Sequence, residues 1–101
     1  MAEFRDVAAV EDLPEGGQME VRAGGREIGL FHVEGQICAI DNVCLHRGGP
    51  LADGALEGCV VSCPFHAWTF DVRTGICTFN DDIRQETFET RVQDGRIWVK
   101  V

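Results

Sequence analysis

The sequence of 101 residues contains no tyrosine, and only three prolines and three histidines. It has no run of roughly 18 apolar residues, so no segment is expected to cross a membrane. Basic residues are scarce. Nine Lys and Arg stand against seventeen Asp and Glu, a formal net charge of −8 at pH 7. Phosphate binding relies on Lys and Arg, so this balance argues against nucleic acid or an anionic membrane surface as partner. It fits a partner with a basic docking face, and it also favours solubility. The opening residues, Met1 to Asp6, carry acids and lack the basic-then-apolar pattern of an export signal. The chain is therefore expected in the cytoplasm. Repeats, low-complexity tracts, linkers and helix-period segments are also missing, and the length suits one domain, 1–101.

What is present is a 45% apolar fraction, enough for a packed core, and a series of short β-runs separated by Gly turns. Residues 18–22 lead through Ala23-Gly24-Gly25 into 26–33, and Glu34-Gly35 separates that run from 36–40. Near the end, 87–92 and 96–101 flank Gln93-Asp94-Gly95, and Asp-Gly between alternating runs is a strong hairpin signal. The middle, from Asn42 to about Gly75, is rich in Gly and Cys and holds two of the three histidines. The predicted fold class is all-β: an antiparallel base carrying an inserted, loop-built site over about 42–75.

Five cysteines are an odd number, and no export signal accompanies them, so metal binding or redox chemistry is favoured over disulfides. Cys44-Leu45-His46 and Cys63-Pro64-Phe65-His66 form two short Cys/His pairs with sixteen residues between them. Each pair is a tight turn that can aim a thiolate and an imidazole at one point. Four such ligands suit a tetrahedral metal or an iron–sulfur cluster. Zinc is the structural competitor, but zinc fingers usually take two Cys from one turn and two His from a helix. Here each turn supplies one of each, as a cluster held by two Cys on one iron and two His on the other requires.

These residues, with Leu45–Gly54 and Cys63–Gly75 around them, resemble the soluble bacterial Rieske ferredoxins over nearly the whole chain. The resemblance implies a Rieske fold, a β-sandwich-like base with two loops clasping one [2Fe–2S] cluster at its tip. The ligands it implies are Cys44, His46, Cys63 and His66, with Arg47, Gly48 and Trp68 around them. High-potential relatives carry a further Cys in each loop, forming a disulfide; the matching positions here are Gly49 and Phe65. Their Ser and Tyr donors to the cluster and its Cys ligand match Trp68 and Phe70. Loss of such donors lowers the potential, to an expected value of ~ −150 mV at the lower end of the Rieske range. The segment Ile76–Asp82 also lacks the proline that many relatives place in a third loop over the cluster.

The other chemistry-bearing residues read as structural. Cys38, Cys59 and Cys77 are expected in the core, and His32 in a strand between Phe31 and Val33. Gly48 and Gly49 are expected to permit close backbone approach to the cluster, and Trp68 to exclude water there. Asp53, Glu57, Asp81 and Asp82 are candidates for a partner-facing acidic field. A self-sufficient oxygenase is excluded. A facial-triad iron site needs two more histidines, only His32 remains, and no Gly-rich dinucleotide fingerprint is present. The expected protein is a monomeric one-electron carrier between a flavin reductase and a terminal oxygenase. The alternative is a small Rieske subunit of a multi-component reductase such as a nitrite reductase.

Overall fold

The computed structural model describes residues 3–45, 48–65 and 68–101. The described residues form three antiparallel sheets. The first, in the order β1-β12-β11, is built from Phe4–Ala9, Arg96–Lys100 and Thr90–Gln93. The second, β10-β4-β3-β2, comprises Thr87–Phe88, Gln36–Asp41, Arg26–Val33 and Gln18–Ala23. The third, β5-β6-β7-β8-β9, runs through Leu56–Glu57, Val60–Ser62, Thr69–Asp71, Ile76–Cys77 and Asn80–Arg84. The all-β, antiparallel expectation holds. No helix among the described residues is long and apolar enough to cross a membrane.

Turn chemistry sets the hairpins. At Glu34-Gly35 and Asp94-Gly95 both central residues have positive φ, 52° and 75° at the first and 55° and 75° at the second. Two successive positive φ values define the type I′ turn, whose twist matches that of the strands it joins. Register follows: Val33 faces Gln36 across the first turn and Gln93 faces Arg96 across the second.

Strand alternation then divides the core in two. Ile28 and Leu30 of β3 and Ala39 of β4 pack toward the first sheet, with Ala8, Leu13, Val21, Ile97 and Val99. Phe31, Val33, Cys38 and Ile40 point to the opposite face, against Leu51, Val61, Phe70, Val72 and Cys77. Because β3 is covered on both faces, Ile28 to Phe31 is a continuous buried run rather than an alternating one. Each large side chain buried there is worth about 1.5–3 kcal/mol. The β3–β4 pair is therefore the shared wall between the base and the third sheet.

Three features depart from the sequence reading. The expected strand 87–92 is broken at Glu89: β10 pairs with β4, whereas β11 pairs with β12 in another sheet. A chain that switches sheets in this way makes a corner of the sandwich. The middle segment is also more than loops, since β5, β6 and β7 lie within it. In addition β1, absent from the sequence reading, completes the first sheet beside β12, with a bulge between Asp6 and Ala8.

Candidate metal centre

The first motif loop leaves the end of β4. Val43 and Pro50 form an isolated antiparallel bridge that closes it. Inside, the Cys44 N–H donates to the Gly49 carbonyl at 2.9 Å and the Gly48 N–H to the Cys44 carbonyl at 2.7 Å. Gly48 has φ of 73°, which favours glycine at this turn. The Gly48 N–H is thus taken up by the Cys44 carbonyl, and the close backbone approach belongs to Gly49.

The second motif loop is the turn between β6 and β7. The Cys63 N–H donates to the Trp68 carbonyl at 2.8 Å, continuing the ladder past the Ser62–Thr69 pair. Cys44 and Cys63 both point into the core, 1% and 2% exposed. The two loops face each other. A Cβ added at Gly49 would lie 2.5 Å from Cys63 Sγ and 3.1 Å from the Phe65 ring, so a side chain would collide with the thiol and only glycine permits this approach. Two buried cysteines on facing, closely approaching loops offer two thiol ligands from separate turns, the donor set that one iron of a two-Cys, two-His cluster needs. His46, Arg47 and His66 lie outside the described residues.

A third segment covers the second loop. Phe79, between β8 and β9, meets the Trp68 ring edge-on at 90°, with centroids 5.4 Å apart. Thr69 and Thr78 hydroxyls are hydrogen-bonded, and the Thr78 N–H donates to the Thr69 carbonyl at 3.0 Å. Around the loops the surface is apolar: Phe65 is 64% exposed, Phe79 61% and Leu45 52%. Asp53, Glu57, Asp81 and Asp82 are exposed.

Two buried polar side chains that sequence reasoning missed support the first loop. Asn42 accepts the Ala52 N–H at 2.7 Å on Oδ1 and donates from Nδ2 to Glu20 at 2.9 Å. Gln85 reaches Asp41, Val43 and Leu45. No local signal separates either from an ordinary polar residue at a strand end.

The remaining cysteines lie in or against the core. Cys38 and Cys77 are buried and Cys59 partly so. Burial pushes the Cys38 thiol up, and Cys59 is raised by partial burial and its hydrogen bond to Glu34. Both therefore stay protonated at neutral pH. His32 is fixed in place by the Leu13 carbonyl, 2.8 Å from Nδ1.

This chain belongs to the Rieske [2Fe–2S] domain family, whose model matches residues 3–92. Its cofactor is one [2Fe–2S] cluster, and like its relatives it is a ferredoxin-type electron carrier rather than a catalyst. It is 40% identical over 99 residues to the ferredoxin component of the naphthalene 1,2-dioxygenase/salicylate 5-hydroxylase systems of Ralstonia sp, covering 95% of this chain and 93% of that one. It is 44% identical over 70 residues to the ferredoxin component of the naphthalene 1,2-dioxygenase system of Pseudomonas aeruginosa, covering 69% of this chain and 67% of that one. Among solved structures, a chain in the complex of reduced oxygenase and oxidized ferredoxin of carbazole 1,9a-dioxygenase superposes with a TM-score of 0.86. That match is at 30% identity and covers 96% of this chain and 92% of the other.

Proposed function

We propose that this chain shuttles single electrons in the cytoplasm from a flavin reductase to a terminal oxygenase acting on an aromatic compound. The relatives' systems, which act on naphthalene, salicylate and carbazole, support that partner class over a nitrite-reductase subunit. Residues 1–101 would be one Rieske domain, with the cluster-binding subdomain at about 42–75. Cys44 and Cys63 would hold one iron, and His46 and His66 the other. When bound, the cluster supplies the one-electron couple. The protein's part is to exclude water and fix the ligands. Cys44 and Cys63 are buried against Phe70 and Leu51, and Phe70 brings no donor to the sulfurs. That supports a potential near ~ −150 mV.

The observation that carries this reading is the pair of buried cysteines on facing loops with Gly49 against Cys63 Sγ. The test is iron and sulfide content of the purified protein, followed by EPR after dithionite reduction. Two irons per chain and a rhombic signal shifted by imidazole ligation are expected. Cys44→Ser and His66→Ala should lose the signal, while Cys38→Ser and Cys59→Ser keep it. A colourless protein with one zinc would overturn the assignment.

A further inference from the structure

Gln85 is 2% exposed, and its whole amide group is committed to the first motif loop. Nε2 donates to the Asp41 and Val43 carbonyls, both at 2.9 Å, and Oε1 accepts the Leu45 N–H at 2.9 Å. The three bonded residues alternate along the chain, as residues on one edge of a strand do when they face a neighbour. A side-chain amide thus takes the place of the strand that β4 lacks beyond Asp41. Gln85 is itself anchored. Its N–H donates to the Gly75 carbonyl at 2.8 Å, and the adjoining Glu86 carbonyl accepts the Asp41 N–H at 2.8 Å.

We propose that Gln85 is a positioning residue of the redox site, holding the backbone from Asp41 to Leu45 so that Cys44 keeps one orientation as the site changes charge. The inference rests on Cys44 being a ligand. Glutamine is suited to the position because it offers two donors and an acceptor at once. Glutamate would lose both donors, and an apolar side chain would leave two carbonyls and one N–H unpartnered. The bond to Oε1 also occupies the Leu45 N–H, next to the Cys44 thiolate. Released, that N–H is a donor for sulfur, and such donors stabilise the reduced state.

The test compares the holoprotein with Gln85→Met and Gln85→Glu by EPR-monitored redox titration and iron release to a chelator. Gln85→Met should keep two irons, raise the potential, broaden or split the EPR signal and speed iron release several-fold. Gln85→Glu, which keeps the acceptor for Leu45 but adds a carboxylate, should release iron faster without raising the potential. Unchanged EPR signal and potential, with only a lower melting temperature, would reduce Gln85 to structural support and overturn the proposal. If neither variant folds, hydrogen–deuterium exchange of the wild-type holoprotein decides: a protected Leu45 amide, the one amide that Gln85 accepts, supports it, and fast exchange there sinks it. Wild-type protein without the two-iron EPR signal would fail the ligand assignment instead, an outcome separate from either variant result.

Discussion

Gly48 and Gly49 are neighbours in the sequence, yet they are glycine for different reasons. At Gly48 the constraint is backbone: φ is 73°, while the nearest atom to an added Cβ is Val43 Cγ1 at 4.0 Å. At Gly49 the constraint is space, because an added Cβ would stand 2.5 Å from Cys63 Sγ. Gly48→Ala should therefore cost about 1–2 kcal/mol of backbone strain, seen as a lower melting temperature with iron content intact. Gly49→Ala must push Cys63 or its loop aside, an overpacking cost of about 1–3 kcal/mol that falls on a proposed ligand. Iron per chain should then drop well below two. Iron analysis and thermal melts on both variants check the pair of outcomes, and equal iron loss in the two would mean that the loop tolerates neither change.

Between elements, the third sheet is tied to the base by charge as well as by core packing. Arg73, in the turn after β7, bonds Asp71 at 2.9 Å and reaches Glu34 of the β3–β4 turn at 3.1 Å. Arg73 holds the Asp71 carboxyl below its ordinary value, chiefly through their hydrogen bond. A carboxylate depressed in the folded state contributes stability that is present above its unfolded pKa and is lost as pH falls through the folded value. The pair should thus support the fold at neutral pH and weaken below about pH 4. Asp71→Asn should lower stability at pH 7 and narrow its gap from wild type toward pH 3, as read by denaturant melts. A constant gap would assign the loss to packing. The elements differed in how far the sequence revealed them. The hairpins at Glu34-Gly35 and Asp94-Gly95 were legible because their chemistry is local. The corner at Glu89 and strand β1 were not, since their pairing is decided by distant partners: Phe88 by Ala39, and Phe4 by Lys100. The spacing of the two Cys/His pairs marked Cys44 and Cys63, and the fold brings their loops face to face. Gln85 and Asn42 were hidden because their roles exist only in tertiary hydrogen bonds.

For the molecule as a whole, the net charge of −8 and the exposed apolar side chains around the motif loops should make separable contributions to partner docking. Charge acts at a distance and sets the encounter rate, and it is screened as the Debye length shortens from about 30 Å at 0.01 M salt to about 3 Å at 1 M. Apolar area acts only on contact and sets how long the complex lasts. Phe65 and Phe79, both largely exposed, would belong to the second term, whereas the exposed Asp81 and Asp82, just after Phe79 in the chain, would belong to the first. Stopped-flow transfer from the reduced protein to its oxygenase should therefore slow roughly tenfold between low and high salt. Asp81→Asn with Asp82→Asn should flatten that dependence. Phe65→Ser should leave the salt slope unchanged and raise the concentration needed for half-maximal rate, with EPR signal and iron content as in wild type. Phe79→Ser should do the same while also losing the Trp68 edge contact, about 0.5–1.5 kcal/mol of local packing. If the Phe65 variant changed the salt slope but not the half-saturating concentration, these side chains would not form the contact surface, and docking would have to be sought on the sides of the β base.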